Sequence, residues 1–297
     1  TTAAYAPIAL QSTGVVGLSW GRELVAAGGN RTGRIRPDGH SDRLQGGPSL
    51  PQTKSAAALP SGEVLIGTLR GVFVDEGDQV RRLPGDGLAR RVLPMADEHM
   101  LLLGDPTLLW HPTTDQKIAA SGSPIGLEGA VSPEGRTAVF LTKAQTLVRL
   151  DLNDPPTWTE LGAHTVTAVA PGPKGWPIYL GTADGLDVLG ADGVRAPWAS
   201  TGKPITDIAV SPDGRLVAAT DTAHRAWVWR AKDGALLARL QGHTRRMSAV
   251  AFSPGGTHLA TGSWDDTIRF WDVSRIEQPV AELQGTIERG WGVSAPP

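Results

Sequence analysis

Short apolar runs recur along the whole chain, broken at close intervals by Gly, Pro, Asp and Ser. SAVAFS (248–253), HLATGS (258–263) and TIRFWDV (267–273) are typical, and the third alternates apolar and polar positions. Alternation over a few residues is the signature of a half-buried strand, and a short continuous apolar run bounded by turn residues fits a strand buried on both faces. No segment keeps helical spacing long enough to compete. The pattern predicts an all-β chain of many short strands, with Pro254-Gly255-Gly256 and Asp265-Asp266 as turns between them.

The runs repeat as a set. SPGGTHLATGS (253–263) overlays SPDGRLVAATD (211–221), with Ser253 and Ser211 standing 42 positions apart, and the same spacing carries Trp271 onto Trp229. Another 79 positions back, SPEGRTAVFLT (132–142) falls in register. Weaker copies occupy 18–39, 59–78, 93–116 and 172–193. A period of roughly 40 residues, each reading as four strands, is that of a propeller blade. The expected fold is a seven-bladed all-β propeller forming a single domain over 1–297, with blades near 14–46, 52–84, 87–121, 122–162, 164–200, 203–241 and 243–284. APIALQ (6–11) resembles the outer strand VAELQG (280–285), so 6–11 is the candidate closing strand. Residues 285–297 are a tail or an extra strand.

The pairs Gly242-His243 and Trp271-Asp272, with Asp265 in the turn between them, resemble the WD-repeat β-propeller family. The resemblance is strongest over 240–284, good over 203–241 and 122–162, and architectural elsewhere. It implies a hydrogen-bonded tetrad of His243, Ser263, Asp265 and Trp271 that joins distant parts of one blade. In the 203–241 unit, Thr201 and Ala223 replace the His and the Asp, so that unit and the more degenerate ones are expected to rely on apolar packing. The family's rim position further implies that Trp264 points outward. Arg245 and Arg246 lie in the adjoining loop and Lys203 in the equivalent loop one unit earlier, and together these four are the candidate protein-binding rim.

Composition narrows the chemistry. Lys and Arg total 28 against 30 Asp and Glu, a net charge of −2, which gives no electrostatic case for nucleic acid or for a membrane surface. No apolar run approaches the length of a membrane-spanning helix. With no cysteine, disulfides and thiol chemistry are excluded. The first residue is Thr1, which fits a processed N-terminus or a piece of a longer polypeptide or complex, and a cytoplasmic setting is preferred to a periplasmic one. Arg outnumbers Lys 22 to 6, a bias of GC-rich bacterial genomes.

No catalytic residue, cofactor or metal site emerges. Asp265-Asp266 and His243 read as blade-turn structure rather than as acid–base groups. His40, His99, His111, His164, His224 and His258 lack tight ligand spacing. Of the tryptophans, Trp110, Trp229 and Trp271 are assigned to the core, while Trp264, Trp198 and Trp176 fall at turns or edges. The reading that follows is a non-catalytic interaction scaffold or sensor module with a protein partner. Its rivals are a propeller enzyme of lactonase or hydrolase type with its site at the channel mouth, and a carbohydrate-binding propeller.

Overall fold

The computed structural model describes residues 8–9, 15, 17–20, 24–28, 31–35, 41–43, 53–58, 63–68, 71–75, 80–83, 88–120, 122 and 124–277. The chain is an all-β propeller of four-stranded antiparallel blades. Six sheets are each built from four consecutive strands, spanning 17–43, 53–82, 88–119, 126–163, 168–200 and 205–241. A further sheet is composite. Met247–Phe252, His258–Ser263 and Thr267–Asp272 are joined on their outer edge by Ile8–Ala9, with Ile8 opposite Ile268 and Ala9 opposite Thr267. The repeat pattern also offers 280–285 for that outer place, a segment that lies outside the described residues.

Within each sheet the strands are lettered a to d from the axis outward. The inner strands pack on one another in order, from Gly17–Trp20 through Thr53–Ala58, Leu88–Pro94, Gly126–Val131, Ala168–Pro171 and Ile205–Val210 to Met247–Phe252. The last of these meets the first. The apolar clusters lie between successive sheets. Leu216, Val228 and Leu240 pack on Val250, Leu259 and Trp271, and Leu101 and Leu103 pack on Phe140 and Leu150. Leu24, Ala26 and Ile35 pack on Ala260, Ile268 and Phe270, so the 17–43 sheet seals against the composite one.

Strand b is sandwiched between neighbouring sheets, which explains its composition. Thr137–Thr142 and Leu216–Asp221 are buried at every position, whereas strand d of the 126–163 sheet, Thr157–Ala163, has no buried residue. Small residues let the sheets approach closely. A Cβ on Gly262 would stand 2.5 Å from Val15 Cγ1. The repeated Ser-Pro-x-Gly is the a–b turn. Ser211 Oγ accepts from Leu216 N at 2.9 Å, Gly214 N donates to Ser211 O at 2.8 Å, and Gly214 takes φ +70°. Ser253 and Gly256 repeat the arrangement, with Ser253 Oγ accepting from His258 N at 3.0 Å. Only a residue tolerant of positive φ closes such a turn without strain.

Candidate functional site

In the composite sheet a polar chain crosses the blade. Trp271 Nε1 donates to Thr261 Oγ1 at 3.0 Å, and Thr261 Oγ1 lies 3.0 Å from His243 Nε2. His243 Nδ1 lies 3.0 Å from Asp265 Oδ2. Indole is a donor only, so Thr261 accepts from it. The ionised Asp265 carboxylate only accepts, so the His243 proton is on Nδ1, and in the neutral ring Nε2 then accepts from the Thr261 hydroxyl. Asp265 also accepts from Thr244 N at 2.8 Å and from the Thr267 hydroxyl at 2.6 Å. Burial pushes the Asp265 carboxyl up, but the Thr267 hydroxyl, the Thr244 N–H and His243 outweigh it and hold the pKa at about 2. Burial lowers the pKa of His243 despite the neighbouring carboxylate, which favours the neutral ring.

The fourth member of this chain is Thr261, and the sequence assignment of Ser263 is corrected. Trp271 stands opposite Leu259, so Thr261 is one diagonal step away on the same face. Ser263 is four residues from Leu259, roughly 13 Å along the strand and beyond the indole's reach. Ser263 is fully buried and has another task. Its Oγ lies 3.1 Å from both Arg245 O and Arg246 O, and it accepts from Asp265 N at 3.1 Å. Together with the Trp264 N bond to Arg246 O at 3.0 Å, this stitches the d–a loop to the b–c loop.

Those loops carry the rim residues. Trp264 is 50% exposed, Arg245 and Arg246 are exposed, and the Arg246 guanidinium sits 5.5 Å from the centre of the Trp264 ring. Lys203 is exposed in the equivalent loop of the 205–241 sheet, where Thr222 N donates to Pro204 O at 3.0 Å in the same stitch. Trp198 and Trp176 differ from Trp264. Trp198 packs edge-on between Tyr179 and Trp229, and Trp176 lies under Arg149.

The 205–241 sheet does not rely on apolar packing alone, which corrects the reading from sequence. Asp221, fully buried, accepts from Trp227 Nε1 at 3.0 Å and from Arg225 Nε at 2.8 Å. Asp221 stands 42 positions before Ser263, so a carboxylate replaces the hydroxyl there. Trp227 stacks on Trp229 at 6.1 Å. The signal was present as Asp221, Arg225 and Trp227 on the b and c strands. In the 126–163 sheet, Asp151 holds Thr137 Oγ1 and Arg149 in a third arrangement.

Near the axis, Arg91, Glu128 and Asp207 follow register shifts at Ala89/Arg91, Gly126/Glu128 and Ile205/Asp207. Arg91 pairs with Glu128 across two sheets, and Asp207 Oδ2 accepts from Val250 N at 2.9 Å, linking two more. Burial raises the pKa of Glu128 to about 7 against the pull of Arg91, and burial likewise raises Asp207. Sequence reading missed this cluster, because its members come from separate repeats. Their polar atoms are engaged by one another and by backbone. Among the described residues no group of three His, Asp or Glu side chains is placed to hold a metal. His99 and His111 meet edge-on at 4.9 Å without a third ligand. No helix among the described residues is long and apolar enough to cross a membrane.

The family described as "WD domain, G-beta repeat" matches residues 234–272, the span that contains the His243–Trp271 network. The composite blade thus carries a WD repeat, and the chain resembles the WD-repeat β-propellers. It is 39% identical over 77 residues to the "Periodic tryptophan protein 2 homolog" of Schizosaccharomyces pombe, covering 25% of this chain and 9% of that protein. It is 30% identical over 103 residues to the same organism's "Guanine nucleotide-binding protein subunit beta", a third of each. To mouse "Transducin-like enhancer protein 2" it is 32% identical over 85 residues, covering 29% of this chain and 11% of that protein. The matches thus span a third or less of these relatives. All three are eukaryotic, which lends no support to the bacterial source suggested by composition.

Proposed function

We propose that this WD-repeat chain is a non-catalytic platform that presents one rim of a closed ring to a protein partner. In this reading the ring has seven blades within one domain, bounded as the repeats suggest, and the 6–11 segment closes it. The circular packing of the inner strands and the pairing of Ile8 with Ile268 support closure. The observation that carries the function is Trp264 with Arg245 and Arg246, large side chains exposed on loops that Ser263 holds rigid. Residues of these types dominate interface energetics when backed by a fixed scaffold. The His243–Trp271 chain and the Arg91, Glu128 and Asp207 cluster near the axis are taken up by internal bonds, which argues against the channel-mouth enzyme. Carbohydrate stacking would call for exposed aromatics repeated around the rim, and among the described residues Trp264 alone is a strongly exposed aromatic. One relative is named as a subunit of a larger assembly, which agrees with a partner-binding role.

The test is capture of the cellular partner by the native chain and by a Trp264→Ala, Arg245→Ala, Arg246→Ala variant. The variant is expected to lose the partner while its melting temperature shifts little, since exposed positions usually change stability by under about 0.5 kcal/mol each. Undiminished capture by the variant would remove the rim from the function.

A further inference from the structure

We infer that the rim of the composite sheet is a binding site for an acidic peptide segment, a run of Asp or Glu side chains seated on Arg245, Arg246 and Trp264. This rests on the platform reading above and names the chemistry of the partner.

Charge is the first reason. Elsewhere among the described residues many of the arginines hold carboxylates of the chain's own. Arg91 holds Glu128, Arg136 holds Asp97, Arg149 holds Asp151, Arg195 holds Asp187, Arg225 holds Asp221 and Arg230 holds Asp233. Arg245 and Arg246 are adjacent, exposed and hold no carboxylate among the described residues. Asp265, on the adjoining b–c loop, is committed to His243, Thr244 and Thr267. Asp184 lies on a loop of a preceding sheet, accepting from Ser200 Oγ at 3.1 Å and bonding the Thr201–Gly202 backbone through its carbonyl.

Pre-organisation is the second. Ser263 Oγ fixes the carbonyls of both arginines, and Trp264 N fixes that of Arg246 again. The Trp264 ring then holds the Arg246 guanidinium by cation–π attraction, which leaves its N–H edge free to point outward. A guanidinium so held meets a carboxylate with two parallel hydrogen bonds at small entropic cost. The exposed part of the indole covers the methylenes of a Glu side chain or a neighbouring apolar residue of the peptide. Lys203, one blade away on the same rim, extends the basic surface along the line a second acidic side chain would take.

The probe is a fluorescein-labelled oligoglutamate peptide, compared by anisotropy with the glutamine peptide of the same length. The glutamate peptide is expected to bind about tenfold or more tightly than the glutamine one, and less tightly as salt rises. Arg245→Ala with Arg246→Ala should abolish the preference, and Trp264→Ala should weaken binding several-fold. Lys at both arginine positions should restore part of it, as a point charge lacks the paired hydrogen bonds. Arg275→Ala, an exposed arginine on another loop, should bind as the native chain does, and melting curves should show every variant folded. Equal binding of the two peptides, or native-like binding by the double arginine variant, overturns the acidic-peptide assignment. If partner capture nevertheless still depends on Trp264 and the arginines, the platform reading stands. If capture is also insensitive to them, both fall.

Discussion

Thr261 occupies the middle of the last blade's polar chain, and its single hydroxyl serves both Trp271 and His243. Thr261→Val should leave an indole N–H and an imidazole nitrogen buried and unpaired. At about 1–3 kcal/mol per group, the melting temperature should fall by several degrees. A double-mutant cycle of Thr261→Val with Trp271→Phe should be clearly non-additive, and one of Ser263→Ala with Trp271→Phe nearly additive. The reverse pattern would restore Ser263 to the chain. His243, Asp265 and Trp271 were legible because their spacing marks them within one repeat. The choice between Thr261 and Ser263 was not, since both hydroxyls share a face of one strand and only the indole's reach separates them. Glu128 illustrates a different limit, because its neighbours Arg91 and Asp207 come from other repeats and no local pattern joins them. Its folded pKa of about 7 lies above the ordinary carboxylate value, so the folded state binds its proton more tightly than the unfolded state. That contribution to stability is greatest at low pH and is lost as pH rises from about 4.5 to about 7. His243 works in the opposite sense, since its lowered pKa favours the folded state above about 6.5 and penalises it below. Denaturant titrations across this range should show that Glu128→Gln removes the loss with rising pH. An unchanged pH profile in that variant would mean that Glu128 does not titrate there.

Strand b shows at the scale of the element why composition and position agree. It is covered on both faces by neighbouring sheets, so it carries Ala, Val, Leu, Thr and Gly in place of an apolar–polar alternation. Gly262→Ala should push a methyl into Val15 and part the composite sheet from its neighbour, costing about 1–3 kcal/mol. Equilibrium unfolding with a midpoint equal to the native chain's would contradict that packing. The a–b turns could be read directly, because Ser-Pro-x-Gly supplies both the capping hydroxyl and the positive φ. The register shifts of the inner strands could not. A skipped residue in a strand leaves no mark on a pattern of period two until the partner strand is known, and those shifts are what turn Arg91, Glu128 and Asp207 toward one another.

At the scale of the whole molecule, stability in this reading comes from adhesion between successive blades, and a ring keeps that adhesion only where its ends meet. The apolar cluster of Leu24, Ala26 and Ile35 with Ala260, Ile268 and Phe270 forms one part of that junction. Ile8 and Ala9, paired with Ile268 and Thr267, form the other. The repeat pattern offered two similar segments for this place, 6–11 and 280–285, and left the choice open because strand pairing over such a separation has no local signal. A rigid rim depends on the choice, since an unclosed blade edge would loosen the loops that carry Trp264 and both arginines. The chain has no cysteine, so a pair introduced at Ile8→Cys and Ile268→Cys would be free of competing thiols. Directly opposed residues of antiparallel strands lie about 4.5–5.5 Å apart at Cα, within the span a disulfide bridges. Closure by the N-terminal strand requires that mild oxidation of the monomer yield an intramolecular disulfide in near-full amount, with a higher melting temperature than the reduced form. Thiols that stay free, or that link only between molecules, would contradict it.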